Sequence, residues 1–312
     1  MTIGKQVLKC WMKQFSRISH SAGQWQGLND AKRTSNDQEK IQSLLRVSQA
    51  RYDGSKIDCL DEVFGFDLRP ELEGKDLLEV GSNHGGAALY YFEKYNLKSI
   101  TGVDTSDRQA EISKIFFENK GVTSNFHFQK AFAEDLPFPS DSFDNILTFD
   151  VVEHVADVKQ TLNEFYRVLR PGGKAFIVFP SYSHPTAHHL VSVTKAPLIH
   201  WIYSPETLIE VYYDILDEYP DYKARTSQSR RKLESWEKLL GINGTTLKEF
   251  RQHIQQQPWK KRTHIPRPFL TDGQLIKKYP LLKIFNFIFK IGSRMPILSE
   301  CCNRRLVFVL EK

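Results

Sequence analysis

The sequence predicts an α/β fold, a seven-stranded and mostly parallel sheet with helices on both faces. Short apolar runs alternate with segments of helical period from Asp76 onward, glycine and proline punctuate the joins, and the first two runs each end in an acid beside a turn. In order, DLLEVG, SITGVDT, NFHFQKAF, FDNILTF and KAFIVFP read as strands, and AALYYFEKY, DRQAEISKIFFENKG and VKQTLNEFYRVLR as the helices between them. Asp107 is a candidate N-cap, Gly121 closes the second helix, and Pro171-Gly172-Gly173 predicts a turn into the fifth strand. INGTTLKEFRQHIQQ reads as a late helix, and WKKRTHIPR and RRLVFVLEK as the last two strands.

Three regions are expected: residues 1–70, polar and helical, as a lid; 71–180 as the ligand-binding core; and 181–312 as a substrate-recognition insertion followed by the strands that complete the sheet. In LIKKYPLLKIFNFIFKIG, residues Leu281, Leu282, Ile284, Phe285, Ile288 and Phe289 share one face of an expected helix. Lys283, Asn286 and Lys290 lie opposite, a stripe that suits packing on a core or contact with a membrane surface.

The chain of 312 residues is 40% hydrophobic and carries a net charge of +6. That charge is unevenly placed: residues 223–312 hold 20 Lys and Arg against 6 Asp and Glu, the remainder 23 against 31. The acidic part holds the motifs, so the basic part faces solvent, an anionic acceptor, a membrane surface or nucleic acid. No apolar run approaches the length of a membrane span, and MTIGKQVLKCWMKQF has no uninterrupted apolar segment; a cytoplasmic location is expected. Cys10, Cys59, Cys301 and Cys302 have neither metal-ligand nor disulfide-framework spacing and read as reduced thiols.

The stretch DLLEVGSNHGG delivers an apolar strand into a glycine-containing turn ahead of a helix, an arrangement that binds nucleotide-like ligands through bare backbone N–H groups. Glu79 would repel a pyrophosphate but accept from an ammonium, so the ligand end facing it is expected to be cationic. A dinucleotide fingerprint would need glycine at Asn83, a residue that tolerates left-handed backbone and so could keep the turn formed with Gly81 and Gly85. Asp104 ends the second strand about twenty residues on, where such folds place the acid that takes ribose hydroxyls.

These residues, with LPFPSDSFD, EHV and RVLRPGG in order along Leu77–Pro180, give a chain that resembles the class I S-adenosylmethionine-dependent methyltransferases, notably those of ubiquinone and menaquinone biosynthesis. The resemblance implies a Rossmann-like sheet and S-adenosylmethionine as the methyl donor. It implies that Glu79 and Gly81 face the methionine moiety, Asp104 the ribose, Thr105, Ala133 and Glu134 the adenine, and Asp150 the sulfonium and the acceptor entrance. Phe132 stands where many relatives carry an aspartate, so apolar contact with adenine is expected instead.

On the acceptor side His154 is a candidate general base, because imidazole is matched to neutral pH, with Glu153 orienting it. Asp150, Glu153 and His154 also resemble an acid-x-x-Glu-His pattern that can hold a divalent cation, although no metal is expected. His184, His188, His189 and Trp201 follow the fifth strand, at the edge where open parallel sheets bind ligands, and are candidate acceptor contacts. The expected function is O-methylation of a small metabolite, sugar or lipid-linked intermediate, with peripheral membrane contact through the basic C-terminal helix. The alternatives are a noncatalytic S-adenosylmethionine-binding module and an RNA methyltransferase, the latter disfavoured by the lack of an aromatic stacking platform.

Overall fold

Seven strands form one sheet in the order β3-β2-β1-β4-β5-β7-β6 in the computed structural model, which describes residues 2–16, 31, 34–57, 59–190, 193–219, 241–269 and 280–312. The strands are β1 Asp76–Val80, β2 Ser99–Asp104, β3 Phe126–Lys130, β4 Phe143–Phe149, β5 Leu169–Pro180, β6 Lys261–Pro268 and β7 Asn303–Glu311. β1 to β5 pair in parallel, while β7 runs antiparallel to both β5 and β6. This is the expected α/β architecture, with the first five strands in an order that reverses beside β1 and so opens a crevice there.

The period-two alternation of the central strands sorts side chains to opposite faces. Leu78 and Val80 join the cluster under α7 (Val158–Val168) and α10 (Leu247–Gln255). Leu77 points the other way, into the cluster containing α3 (Leu60–Phe64), α4 (Arg69–Leu72), α5 (Gly86–Lys94) and α6 (Asp107–Asn119). All five residues of β1 are buried, as a strand covered on both faces requires.

Local signals set most boundaries. α6 starts after Ser106 as N-cap, one residue before the expected Asp107, and is followed by Gly121 at φ 81°. Thr246 and Glu249 form a reciprocal capping box on α10. The Arg170–Gly173 stretch is no free turn: β5 begins at Leu169 and absorbs it. The Gly172 amide donates to the Lys312 carbonyl and the Lys312 amide to the Gly173 carbonyl, so the distant chain end pulls the stretch into the sheet.

A third cluster is built by α1 (Ile3–Gln14) and the insertion. Leu8 and Met12 pack with Leu208, Val211, Tyr212 and Ile215 of α9 (Pro205–Asp217), after the short α8 (Ile199–Ile202). α2 (Asp37–Ile57) instead packs near the glycine turn: the Ser48 hydroxyl donates to the His84 carbonyl at 2.7 Å. The C-terminal stripe departs from expectation. Pro280–Phe285 is 3-10 and α11 spans only Asn286–Gly292, before α12 (Ser299–Cys302), and Leu281, Ile284, Phe285 and Ile288 are exposed rather than packed on a core. Residues 223–240 of the basic region and 275–279 of the expected helix lie outside the described residues.

Candidate active site

Parallel register brings the ends of β1, β2 and β4 to one edge, with Val80 opposite Val103 and Thr148. The turn after β1 is sewn to β2: the Gly81 and Ser82 amides donate to the Val103 carbonyl at 2.8 and 3.0 Å. Gly81 sits at φ 84°, and a Cβ there would run into the Val151 side chain beyond β4. Asn83 takes the left-handed conformation at φ 51°, so the turn closes without the glycine. Gly85, also left-handed, is the N-cap of α5.

Asp104 accepts the Asn83 amide on Oδ2 at 2.8 Å and the Thr105 amide on Oδ1 at 2.7 Å. Each oxygen thus keeps acceptor capacity for a ligand hydroxyl. Glu79 is enclosed, its Oε2 has no hydrogen-bond partner, and burial followed by the nearby Asp104 charge pushes its pKa up to about 8. A buried orphan carboxylate oxygen beside a second acid is a site for a cation. His84, inside the turn, is held down to about 4 by burial, against the pull of Asp104. Sequence reasoning passed over His84 and Ser48, whose roles arise from a contact between distant segments.

Beyond β3, Ala133 is buried and Phe132 half exposed, in a turn closed by the Asp135 amide on the Phe132 carbonyl at 3.1 Å. Glu134 accepts from the amides of Ala156 at 2.6 Å and Asp157 at 3.4 Å. Its carboxylate therefore already braces the entry to α7.

On the other side of the edge, Asp150 leaves β4 with φ 56° and its amide on the Val178 carbonyl. The 3-10 turn Val152–His154 follows. His154 Nδ1 lies 2.9 Å from the Gly241 carbonyl, which can only accept, so Nδ1 carries the proton in the neutral ring and Nε2 its lone pair. Nε2 stands 3.8 Å from Glu153 Oε1. Glu153 Oε2 is buried without a partner, and burial, then the charge of Asp150, holds that carboxyl well above the usual range. The His189 ring lies 6.1 Å from that of His154, and one ligand atom from each of Glu153, His154 and His189 falls within 4.8 Å of the others.

Of the expected acceptor contacts, only His189 reaches this group. His188 is fully buried, donates from Nε2 to the Ala196 carbonyl at 3.0 Å and accepts the Leu190 amide on Nδ1 at 3.1 Å, so both nitrogens hold the loop. His184 is likewise buried, accepts the Thr186 amide on Nδ1, and has its pKa drawn down to about 3 by burial. Trp201 is half exposed on α8.

Residues 78–177 match the model of a family described as a methyltransferase domain. The chain carries a class I S-adenosylmethionine-dependent methyltransferase domain. The proteins it is similar to differ in their chemistry. It is 29% identical over 201 residues to the ubiquinone/menaquinone biosynthesis C-methyltransferase UbiE of Geotalea daltonii, covering 58% of this chain and 82% of that protein. It is 31% identical over 128 residues to an O-methyltransferase, cnsE, of Penicillium expansum, covering 41% of this chain and 46% of that one. The solved phosphoethanolamine N-methyltransferase 2 of Haemonchus contortus shares the fold, with a TM-score of 0.52 at 14% identity over 89% of this chain and 58% of that one.

The methyl donor of this methyltransferase domain is S-adenosylmethionine, and the edge suits it. Glu79 offers an unsatisfied carboxylate oxygen for an ammonium, Asp104 two acceptors for hydroxyls, and the glycine turn a close backbone approach. Among the described residues no helix is long and apolar enough to cross a membrane.

Proposed function

We propose that this methyltransferase transfers a methyl group to a hydroxyl of a small metabolite, sugar or lipid-linked acceptor, with His154 as general base. The observation that carries this reading is the bond from His154 Nδ1 to the Gly241 carbonyl, which leaves Nε2 free to take a proton at the open edge. The bound donor supplies an electrophilic methyl carbon on a sulfonium. Glu79 binds the donor's ammonium, Asp104 its ribose hydroxyls, and the turn of Gly81, Asn83 and Gly85, with no side chain at its glycines, lets the methionine end approach the backbone closely. Thr105, Ala133 and Phe132 border the adenine, with Glu134 bracing that wall. Asp150 and His189 flank the acceptor. As the acceptor oxygen forms its bond to the methyl carbon and the donor's carbon–sulfur bond breaks, the hydroxyl proton passes to His154 Nε2, which Glu153 helps to orient from 3.8 Å away. The rest of the task is alignment and exclusion of water, since an in-line displacement needs little more. Within the N-terminal region, α2 acts as the lid, supported by the Ser48 contact to the turn. A cytoplasmic setting suits the free thiols of Cys10, Cys59, Cys301 and Cys302.

The grouping of Glu153, His154 and His189 supports a second reading, in which the three hold a divalent cation that lowers the acceptor's pKa. Calorimetric titration with S-adenosylmethionine, then turnover over a panel of hydroxyl acceptors with and without a chelator, separates the two. With His154 as base, turnover survives chelation, and His154→Ala lowers it roughly 100- to 10,000-fold with donor affinity unchanged. Loss on chelation, restored by added cation, selects the metal reading. Donor binding with no transfer to any acceptor removes both and leaves a noncatalytic module.

A further inference from the structure

We propose that residues 280–298 form a docking surface for an anionic lipid bilayer, seated beside the acceptor edge. The docking stands on the surface itself; that it serves a lipid-linked acceptor rests on the methyl-transfer reading above. Nine large apolar side chains between Leu281 and Leu298 are exposed, from 42% at Leu298 to 90% at Ile297. They make up half of all exposed large apolar side chains among the described residues. Exposed apolar surface concentrated in so short a stretch marks a place of contact.

The helix that carries the centre of this surface is held from behind. Phe289 packs edge-on against Phe269 at 5.3 Å, a Cβ on Gly292 would collide with the Cys302 sulfur, and Ser293 is buried. Positions 289, 292 and 293 are therefore the inner face, and Phe287, Ile288 and Ile291 point outward because that is where the anchored helix directs them.

Charge decides the occupant. From Gly273 to Ser299 the sequence has no Asp or Glu, but has Lys277, Lys278, Lys283, Lys290 and Arg294. Lys290 and Arg294 are exposed next to the apolar residues. Large apolar side chains interleaved with exposed Lys290 and Arg294 suit an interface of acyl chains under anionic headgroups, where lysine and arginine stems lie along the apolar layer and their charges meet phosphate. The surface adjoins the acceptor edge through bonded neighbours: Phe269 packs on His184 at 5.0 Å, and the Ser181 hydroxyl at the exit of β5 donates to the Glu300 carbonyl of α12 at 2.7 Å.

The test is co-sedimentation of the full chain with vesicles of equal parts phosphatidylglycerol and phosphatidylcholine, and with vesicles of phosphatidylcholine alone. The protein is expected to sediment with the anionic vesicles, weakly with the neutral ones, and less as salt rises. The double variant Phe287→Glu, Ile291→Glu and the double variant Lys290→Glu, Arg294→Glu are each expected to lose roughly tenfold or more of vesicle affinity. Both are expected to keep S-adenosylmethionine affinity, which shows that the fold persists. No sedimentation of the wild type, or undiminished sedimentation of the variants, overturns the proposal. So does light scattering that shows a dimer abolished by Phe287→Glu, Ile291→Glu, because the face then belongs to a second copy. Vesicle binding without any methyl transfer upholds the surface and removes the proposed reaction instead.

Discussion

Glu79 carries the sharpest consequence at the scale of a single residue. Its pKa, 4.5 in an unperturbed chain, rises to about 8 in the folded protein, so the native state retains a proton that the unfolded chain has released. Stability therefore falls as pH rises from 4.5 toward 8, and the penalty is absent below that window. Glu79→Gln should abolish this slope and stabilise the ligand-free protein at pH 7 by on the order of 3 kcal/mol, measured by denaturant unfolding across the window. The same variant should weaken S-adenosylmethionine, whose ammonium loses its carboxylate; an identical pH slope in variant and wild type would detach Glu79 from this behaviour. The places of Glu79 and Asp104 at the ends of β1 and β2 were legible beforehand because a strand that ends in a turn fixes the direction of its last side chains by local geometry alone. The histidines were not. Whether His188 or His189 faces an acceptor depends on which nitrogens the loop consumes, and that is decided by Ala196 and Leu190 amide and carbonyl positions no local pattern reveals.

Among elements, the join of α2 to α5 is the tightest near the site. A Cβ on Gly86 would collide with the Ser48 carbonyl oxygen, part of a backbone that cannot rotate away. Gly86→Ala should cost about 1–3 kcal/mol of stability by prising α2 off the turn, read as a lowered denaturation midpoint with unchanged cooperativity. A neutral effect would mean that α2 yields freely. Most helices and all seven strands could be anticipated from period and punctuation, yet α9 falls in the expected substrate-recognition insertion with no helix assigned there, although Ser204 and Pro205 begin it with an N-cap and a proline in the first turn. Its tyrosines and its burial against α1 gave an aromatic, mixed pattern that masked the helical period. The C-terminal stripe erred the other way: its periodicity suited one helix, but the backbone divides at Phe285 and Asn286.

For the whole molecule, the decisive fact is that β7 lies between β5 and β6. Without it the two strands it joins become open edges, each offering unpaired backbone groups. Removing residues 303–312 should therefore give a chain that aggregates and shows no cooperative thermal transition, checked by light scattering and calorimetry; a folded, monomeric product would contradict the topology. The parallel core was legible because strand and helix alternate in order, whereas the place of the last strand is not a local property. It also sets a clock. A chain emerging from the ribosome can pair β1 through β5 as it goes, but β6 must wait with no neighbour until residues made at least thirty-five positions later, from Asn303 to Glu311, slide in beside it. The β7–β6 side of the sheet is thus assembled last, after β1 to β5 have already paired.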